Sequence, residues 1–174
     1  FINDKFIYEI KKIDKRFTKE TNLGEKLEEL DKKEFKLLCL QLNENIARLD
    51  PNQLISNLYQ RQNEKNFSNI FDQTLLDISK ENSSIFSIIT SEGQNISLFE
   101  DVSKYVSDNK DDFCRAIINK LVEFSFENIF NEKFDFFADI FEYLIKDYNT
   151  SSGQTYAEYY TPHAVSKVIA NILI

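Results

Sequence analysis

The 174-residue chain has one histidine, two cysteines, two prolines, three glycines and neither methionine nor tryptophan. Each scarcity removes a class of chemistry. With His163 alone, a two-histidine zinc site of the H-E-x-x-H kind is excluded. Cys39 and Cys114 are too few for a structural zinc site, and their wide separation reads as reduced, buried thiols rather than a disulfide framework. Gly24, Gly93 and Gly153 are too scattered for a phosphate-binding loop or a dinucleotide fingerprint. No apolar run approaches the roughly 20 residues needed to span a bilayer, and the first ten residues lack the apolar core of a signal peptide. The expectation is a soluble, cytoplasmic protein with no membrane partner. A start at Phe1 without any methionine points to a piece of a longer chain, or one lacking its processed start. The lack of tryptophan beside abundant Asn, Ile, Lys and Phe reads as compositional bias and carries no functional meaning.

Positive charge is also in short supply. Twenty-one basic residues face 29 acidic ones, for a net charge of −8. Such a chain is a poor general binder of the nucleic-acid backbone, which requires clustered Lys and Arg. The one candidate patch is Lys11, Lys12, Lys15, Arg16 and Lys19, but Glu9, Asp14 and Glu20 are interleaved with it, as on a solvated helix face. The acidic pairs Glu28-Glu29 and Asp111-Asp112 read as helix-dipole partners or solvated faces rather than catalytic carboxylates.

What the chain does have is helical spacing of apolar residues almost throughout, with few Gly or Pro to interrupt it. The spacing predicts helices over 5–19 (Phe6, Ile10, Ile13, Phe17 on one face), 34–49 (Phe35, Leu38, Leu42, Ile46, Leu49) and 67–80 (Ile70, Phe71, Leu75, Ile78, with Ser68 as cap). Asp50-Pro51 breaks one helix and opens another carrying Leu54, Ile55, Leu58 and Tyr59. A turn is expected at 21–24, a loop at S-E-G-Q-N and a short helix over 98–106. The longest helix is expected over 111–130, with Phe113, Ile117, Leu121 and Phe124 on its face, and a further helix over 134–148. The sixteen Phe mostly fall on these stripes and read as core. The fold class that follows is all-α, a multi-helix domain.

The stretch from Gly153 to Leu173 differs in kind. Three tyrosines (Tyr156, Tyr159, Tyr160) lie in a short loop opened by Ser151, Ser152 and Gly153. Thr161 is placed as a helix N-cap and Pro162 at the first helical position. Val165, Val168, Ile169 and Ile172 then form one apolar face. An aromatic loop is thus delivered to a helix N-terminus, where exposed N–H groups and the dipole favour an anion.

The segment from Phe134 to Leu173 resembles the opening of the catalytic domain of adenine-specific DNA methyltransferases, the modification (M) subunits of type I restriction–modification systems. Two features carry the resemblance. The first is F-D-F-F-A-D-I-F-E-Y-L-I, with Asp139, Glu142, Tyr143 and Leu144 in the family's order; the second is A-E-Y-Y-T-P-H-A-V, from Ala157 to Val165. His163 stands where the family usually has Arg, and Ala157 where Gly is common. The resemblance implies a helical N-terminal domain (residues 1–150), truncated before the α/β methyltransferase domain, of which residues 151–174 form the loop and first helix. It implies S-adenosylmethionine as cofactor, held at its methionine end by Glu158, Tyr159, Tyr160, Thr161, Pro162 and His163, and methyl transfer to N6 of adenine in duplex DNA, with the base taken out of the stack. It also implies DNA, a specificity subunit and a restriction subunit as partners. Self-association through faces that the rest of the enzyme covers is a further expectation. No catalytic residue is expected within the chain. The family's Asn-Pro-Pro-aromatic motif is absent, since Pro51 and Pro162 are the only prolines, so residues 1–174 alone should be inactive. Two alternatives stay open: the helical segment of a single-chain restriction–methylation enzyme, and an all-α interaction module in which Y-Y-T-P is an ordinary capped helix.

Overall fold

The structure is a computed structural model that describes residues 1–86, 88–89, 95–131, 140–145, 161 and 163–173. It divides into two compact units, Phe1–Phe130 and Asn131–Ile174. The fold is all-α. The regular exception among the described residues is a two-residue antiparallel pair, β1 (Ile88–Ile89) with β2 (Asn95–Ile96), in register Ile88↔Ile96.

The first unit carries α1 (Ile2–Ile13), α2 (Leu23–Glu28), α3 (Lys32–Leu40), α4 (Ile55–Gln60), α5 (Phe67–Glu81), α6 (Ser83–Phe86) and α7 (Lys110–Val122). Short 3-10 turns at Lys15–Phe17, Pro51–Gln53 and Val102–Tyr105 join them. Two apolar clusters hold it together. One gathers Phe6 and Ile10 of α1, Leu27 of α2, Leu38 of α3 and the loop residues Leu42, Ile46, Leu49 and Leu54. The other packs Leu58 of α4, Phe67 and Phe71 of α5, and Cys114 and Ile118 of α7. Phe6, Ile10, Leu54, Phe67, Cys114 and Ile118 are fully buried. At ~1.5–3 kcal/mol for each large apolar side chain taken out of water, these two clusters supply the main drive to fold.

Several expected helices are shorter than their apolar stripes. The helix expected over 5–19 ends at Ile13, because Asp14 takes an extended conformation (φ −119°) and its carboxylate accepts the Arg16 N–H at 2.9 Å. Side-chain capping from Asp14 offers the backbone an alternative to another helical turn. Gly24 lies inside α2, not in a turn. The helix expected over 34–49 stops at Leu40, yet Leu42, Ile46 and Leu49 stay buried as loop residues. The short helix over 98–106 reduces to the turn Val102–Tyr105, and α7 ends at Val122 rather than 130. Cys114 and Ile118 form the buried edge of α7, while Leu121 and Phe124 are exposed.

Short helices leave many backbone groups without intrahelical partners, and distant side chains supply them here. Asp111 accepts the Ser68 N–H (2.9 Å) and hydroxyl (2.7 Å), so α5 is capped from α7 rather than by Ser68 itself. Asp72 on α5 accepts the N–H groups of Val102 (2.8 Å) and Ser103 (3.2 Å). Asn3 accepts the Ile55 N–H at 3.0 Å, and Asp4 accepts that of Phe126 at 2.8 Å. Asn66 and Asn109, the residues just before α5 and α7, have φ of 58° and 54°, a left-handed conformation that Asn tolerates better than most residues.

In the second unit, residues 140–145 are helical (α8) and His163–Leu173 form α9. The boundary expected at 150/151 lies outside the described residues.

Candidate functional site

Glu158, Tyr159, Tyr160 and Pro162 lie outside the described residues. Thr161 is described and exposed, two residues before the start of α9. His163 opens that helix, and only its backbone is described. The six residues expected at the cofactor therefore converge in sequence on one helix N-terminus, and two of them are placed there.

The helix itself has 11 residues, so it is about 16 Å long at 1.5 Å per residue. Its first-turn amides have no partner within the helix, and the dipole adds a partial positive charge at that end. Such an end accepts a carboxylate or phosphate. Farther along, Asn171 donates to the Lys167 carbonyl at 2.9 Å, which keeps that amide on the helix surface. The apolar face expected from sequence is present, with Val168 58 % and Ile172 76 % exposed. On α8, Phe141 and Tyr143 are also exposed, and none of the described side chains of the second unit is buried.

Elsewhere, the two thiols are chemically quiet. Burial pushes Cys39 up to about 11, opposed by the nearby Arg48 charge, and burial likewise pushes Cys114 up to about 11 with help from Asp72 and Asp111. A thiol at that value carries almost no thiolate at neutral pH. Among the described residues no group of three or more His, Cys, Asp or Glu could hold a metal ion. Among the same residues no helix is long and apolar enough to cross a membrane.

Sequence reasoning missed a cavity in the first unit, whose walls come from α2, α3, residues 48–52 and Glu81. No local motif marks it, because its parts meet only after folding.

Residues 132–174 match the family model for N-6 DNA methylase. The match begins one residue after the second unit does, and it spans both α8 and α9. It supports an adenine-N6 methyltransferase family for that segment. No curated protein and no solved structure matches the chain.

Proposed function

We propose that the chain is the N-terminal part of the modification subunit of a type I restriction–modification system, a site-specific DNA adenine-N6 methyltransferase acting in the cytoplasm. The observation that carries the reading is the N-6 DNA methylase match over 132–174, the stretch in which A-E-Y-Y-T-P-H-A-V leads into α9. In this reading residues 1–150 support assembly with the specificity and restriction subunits and engagement of DNA, and residues 151–174 form one wall of the cofactor site.

The described residues fit S-adenosylmethionine at one point. The exposed Thr161 stands before a helix whose first-turn amides have no partner within the helix, the kind of group that the carboxylate at the methionine end of the cofactor would require. Thr161 and the amides that follow it would hold that carboxylate, beside Glu158, Pro162 and His163. Tyr159 or Tyr160 would pack against the sulfonium, which a ring face attracts. When bound, the cofactor supplies the methyl group. Grip on the adenine amino group would belong to an Asn-Pro-Pro-aromatic motif that residues 1–174 do not contain, so this stretch alone should be inactive.

The exposed apolar face of α9 fits the same reading. Covering Val165, Val168, Ile169 and Ile172, each about half exposed or more, would gain on the order of 1 kcal/mol per side chain. The remainder of a catalytic domain would provide that cover. The same face also favours a second reading, an interaction module that presents α9 to another protein.

Cofactor affinity separates the two. In the full-length protein, Thr161→Val should weaken S-adenosylmethionine binding about tenfold or more, the scale of one hydrogen bond to a charged group, with the unfolding midpoint unchanged. Calorimetric titration reads it, and unchanged affinity would remove Thr161 from the site. The coding sequence beyond Ile174 should contain a Gly-containing acidic loop and an Asn-Pro-Pro-Phe/Tyr motif. A continuation lacking both would leave the interaction module.

A further inference from the structure

Apart from the methylase match, the first unit holds a cavity of about 590 Å³. That falls within the roughly 300–1,000 Å³ of small-molecule sites. Leu27, Leu30, Phe35, Leu49 and Pro51 give it an apolar floor, and Lys32, Lys36 and Arg48, all exposed, bring three cations to its open rim.

Arg48 stands apart from the other arginines. The chain has four. Arg16 pairs with Asp14 (2.7 Å) and Glu34 (2.8 Å), Arg61 with Glu64 (3.0 Å) and Arg115 with Asp112 (2.7 Å). Among the described residues the Arg48 guanidinium has no ion pair and no hydrogen bond, and neither Lys32 nor Lys36 has an ion pair. Yet the Arg48 backbone is firmly held. Its N–H donates to Asn82 Oδ1 at 2.7 Å, and its carbonyl accepts from Asn82 Nδ2 at 2.9 Å. Asn82, 2 % exposed, also donates to the Ile78 carbonyl at 2.9 Å. A free guanidinium on a fixed base is well suited to a phosphate, which it can engage through two donors at once. Its charge is also felt at the Cys39 thiol on the cavity wall.

Three carboxylates share the cavity: Glu28, Asp50 and Glu81. Glu28 accepts from Asn57 Nδ2 at 2.8 Å and Glu81 from Gln53 Nε2 at 2.9 Å. They balance the three cations, so a bare anion gains little there. A ligand must also bring hydrogen-bond donors for the carboxylates and an apolar body for the floor. A nucleoside monophosphate meets all three requirements: phosphate for Arg48, Lys32 and Lys36, ribose hydroxyls for the carboxylates, and a planar base for Phe35 and Pro51. We propose that this cavity is a binding site for a nucleoside monophosphate, with Arg48 as its principal phosphate ligand.

Calorimetric titration of the 174-residue chain with adenosine 5′-monophosphate, adenosine and inorganic phosphate tests this. The monophosphate should bind saturably at one site, more tightly than either component. Arg48→Ala should weaken it about tenfold or more, the scale of losing hydrogen bonds to a charged partner. Because Asn82 holds only the Arg48 backbone, that variant should keep its urea midpoint, and Arg61→Ala should bind within about twofold of the parent chain, which marks off a general loss of positive charge. No saturable binding, equal binding by Arg48→Ala, or inorganic phosphate binding as tightly as the monophosphate would each overturn the proposal.

Discussion

Replacing Gly24 with alanine sets helix propensity against packing, and the structure decides the sign. Gly24 is a buried residue in the first turn of α2. By propensity alone, alanine there would stabilise the helix by up to about 1 kcal/mol. A Cβ on Gly24, however, would stand 1.9 Å from Asn57 Oδ1 and 2.8 Å from Asn57 Cγ. Asn57 cannot simply swing away. It is 2 % exposed, its Nδ2 donates to Glu28 at 2.8 Å and its Oδ1 accepts the Ser56 hydroxyl at 3.1 Å. Either α2 is forced off α4, an overpacking strain of about 1–3 kcal/mol, or the amide loses its bond to a carboxylate, worth about 1.5–3 kcal/mol. Subtracting the propensity gain leaves a net loss of up to about 2 kcal/mol. Urea unfolding followed by far-ultraviolet circular dichroism measures it. The double variant Gly24→Ala/Asn57→Ala should recover most of the loss that Gly24→Ala adds, because the new methyl group would then have room. If Gly24→Ala raised the midpoint, the tight approach of α2 to Asn57 would not be what holds these helices together, and the reasoning would fail.

Three further outcomes follow from the same contacts. Hydrogen bonds from the Ser68 N–H and hydroxyl hold the Asp111 carboxyl below its ordinary value of 3.8. A depressed folded value stabilises the protein above the unfolded value and is lost as pH falls through the folded one, so Asp111→Asn should be less stable than the parent at pH 7, with the gap narrowing below pH 3.8; a gap constant down to pH 2 would contradict this cap. Asp72→Ala removes the acceptor for the Val102 and Ser103 N–H groups and should destabilise by about 1–3 kcal/mol, with amide exchange at 102–105 accelerating; unchanged exchange would mean the turn is held by other means. The thiols of Cys39 and Cys114, raised to about 11, should react with an aromatic disulfide at pH 8 roughly a hundredfold more slowly than in the urea-unfolded chain, and their contribution to stability should fade as pH rises from 9 to 11; a fast native reaction would show that one is open to solvent.

How far the fold was legible in the sequence varies with where each element finds its partners. The helix expected over 67–80 matches α5 to within a residue, since its stripe, its start and its end all lie within one continuous run. Over 34–49 the stripe was a reliable guide to burial but not to conformation: Leu42, Ile46 and Leu49 reach the core without a helix to carry them. Helix ends were the least readable, because the groups that satisfy them come from far along the chain. Asp111 caps α5 from 43 residues away, and Asn82 fixes the Arg48 backbone from 34 residues away. The Arg48 cavity has no sequence signature for the same reason, since its lining runs from Leu27 to Glu81. The candidate cofactor site was legible only as a motif, since Thr161, Pro162 and His163 make sense together through the helix they introduce.

α1 and α9 both carry apolar residues at helical spacing, but Phe6 and Ile10 are 0 % exposed whereas Val168 and Ile172 are 58 % and 76 % exposed. A stripe specifies which side of a helix will be covered and leaves open what covers it. For α1 the cover comes from Leu27, Leu38 and Leu54 within its own unit. For α9, in the proposed enzyme, it comes from the catalytic domain that the helix introduces. The residues that shape the cofactor wall would then owe their positions to packing on the opposite side of the same helix. A polar substitution such as Ile169→Asn should accordingly weaken cofactor binding in the full-length enzyme without touching the cofactor, and it should leave the unfolding of an isolated 174-residue chain unchanged, since Ile169 is already 48 % exposed there. Equal effects in both proteins would mean that α9 is packed within the 174 residues, and unchanged cofactor binding would mean that its apolar face does not position the site.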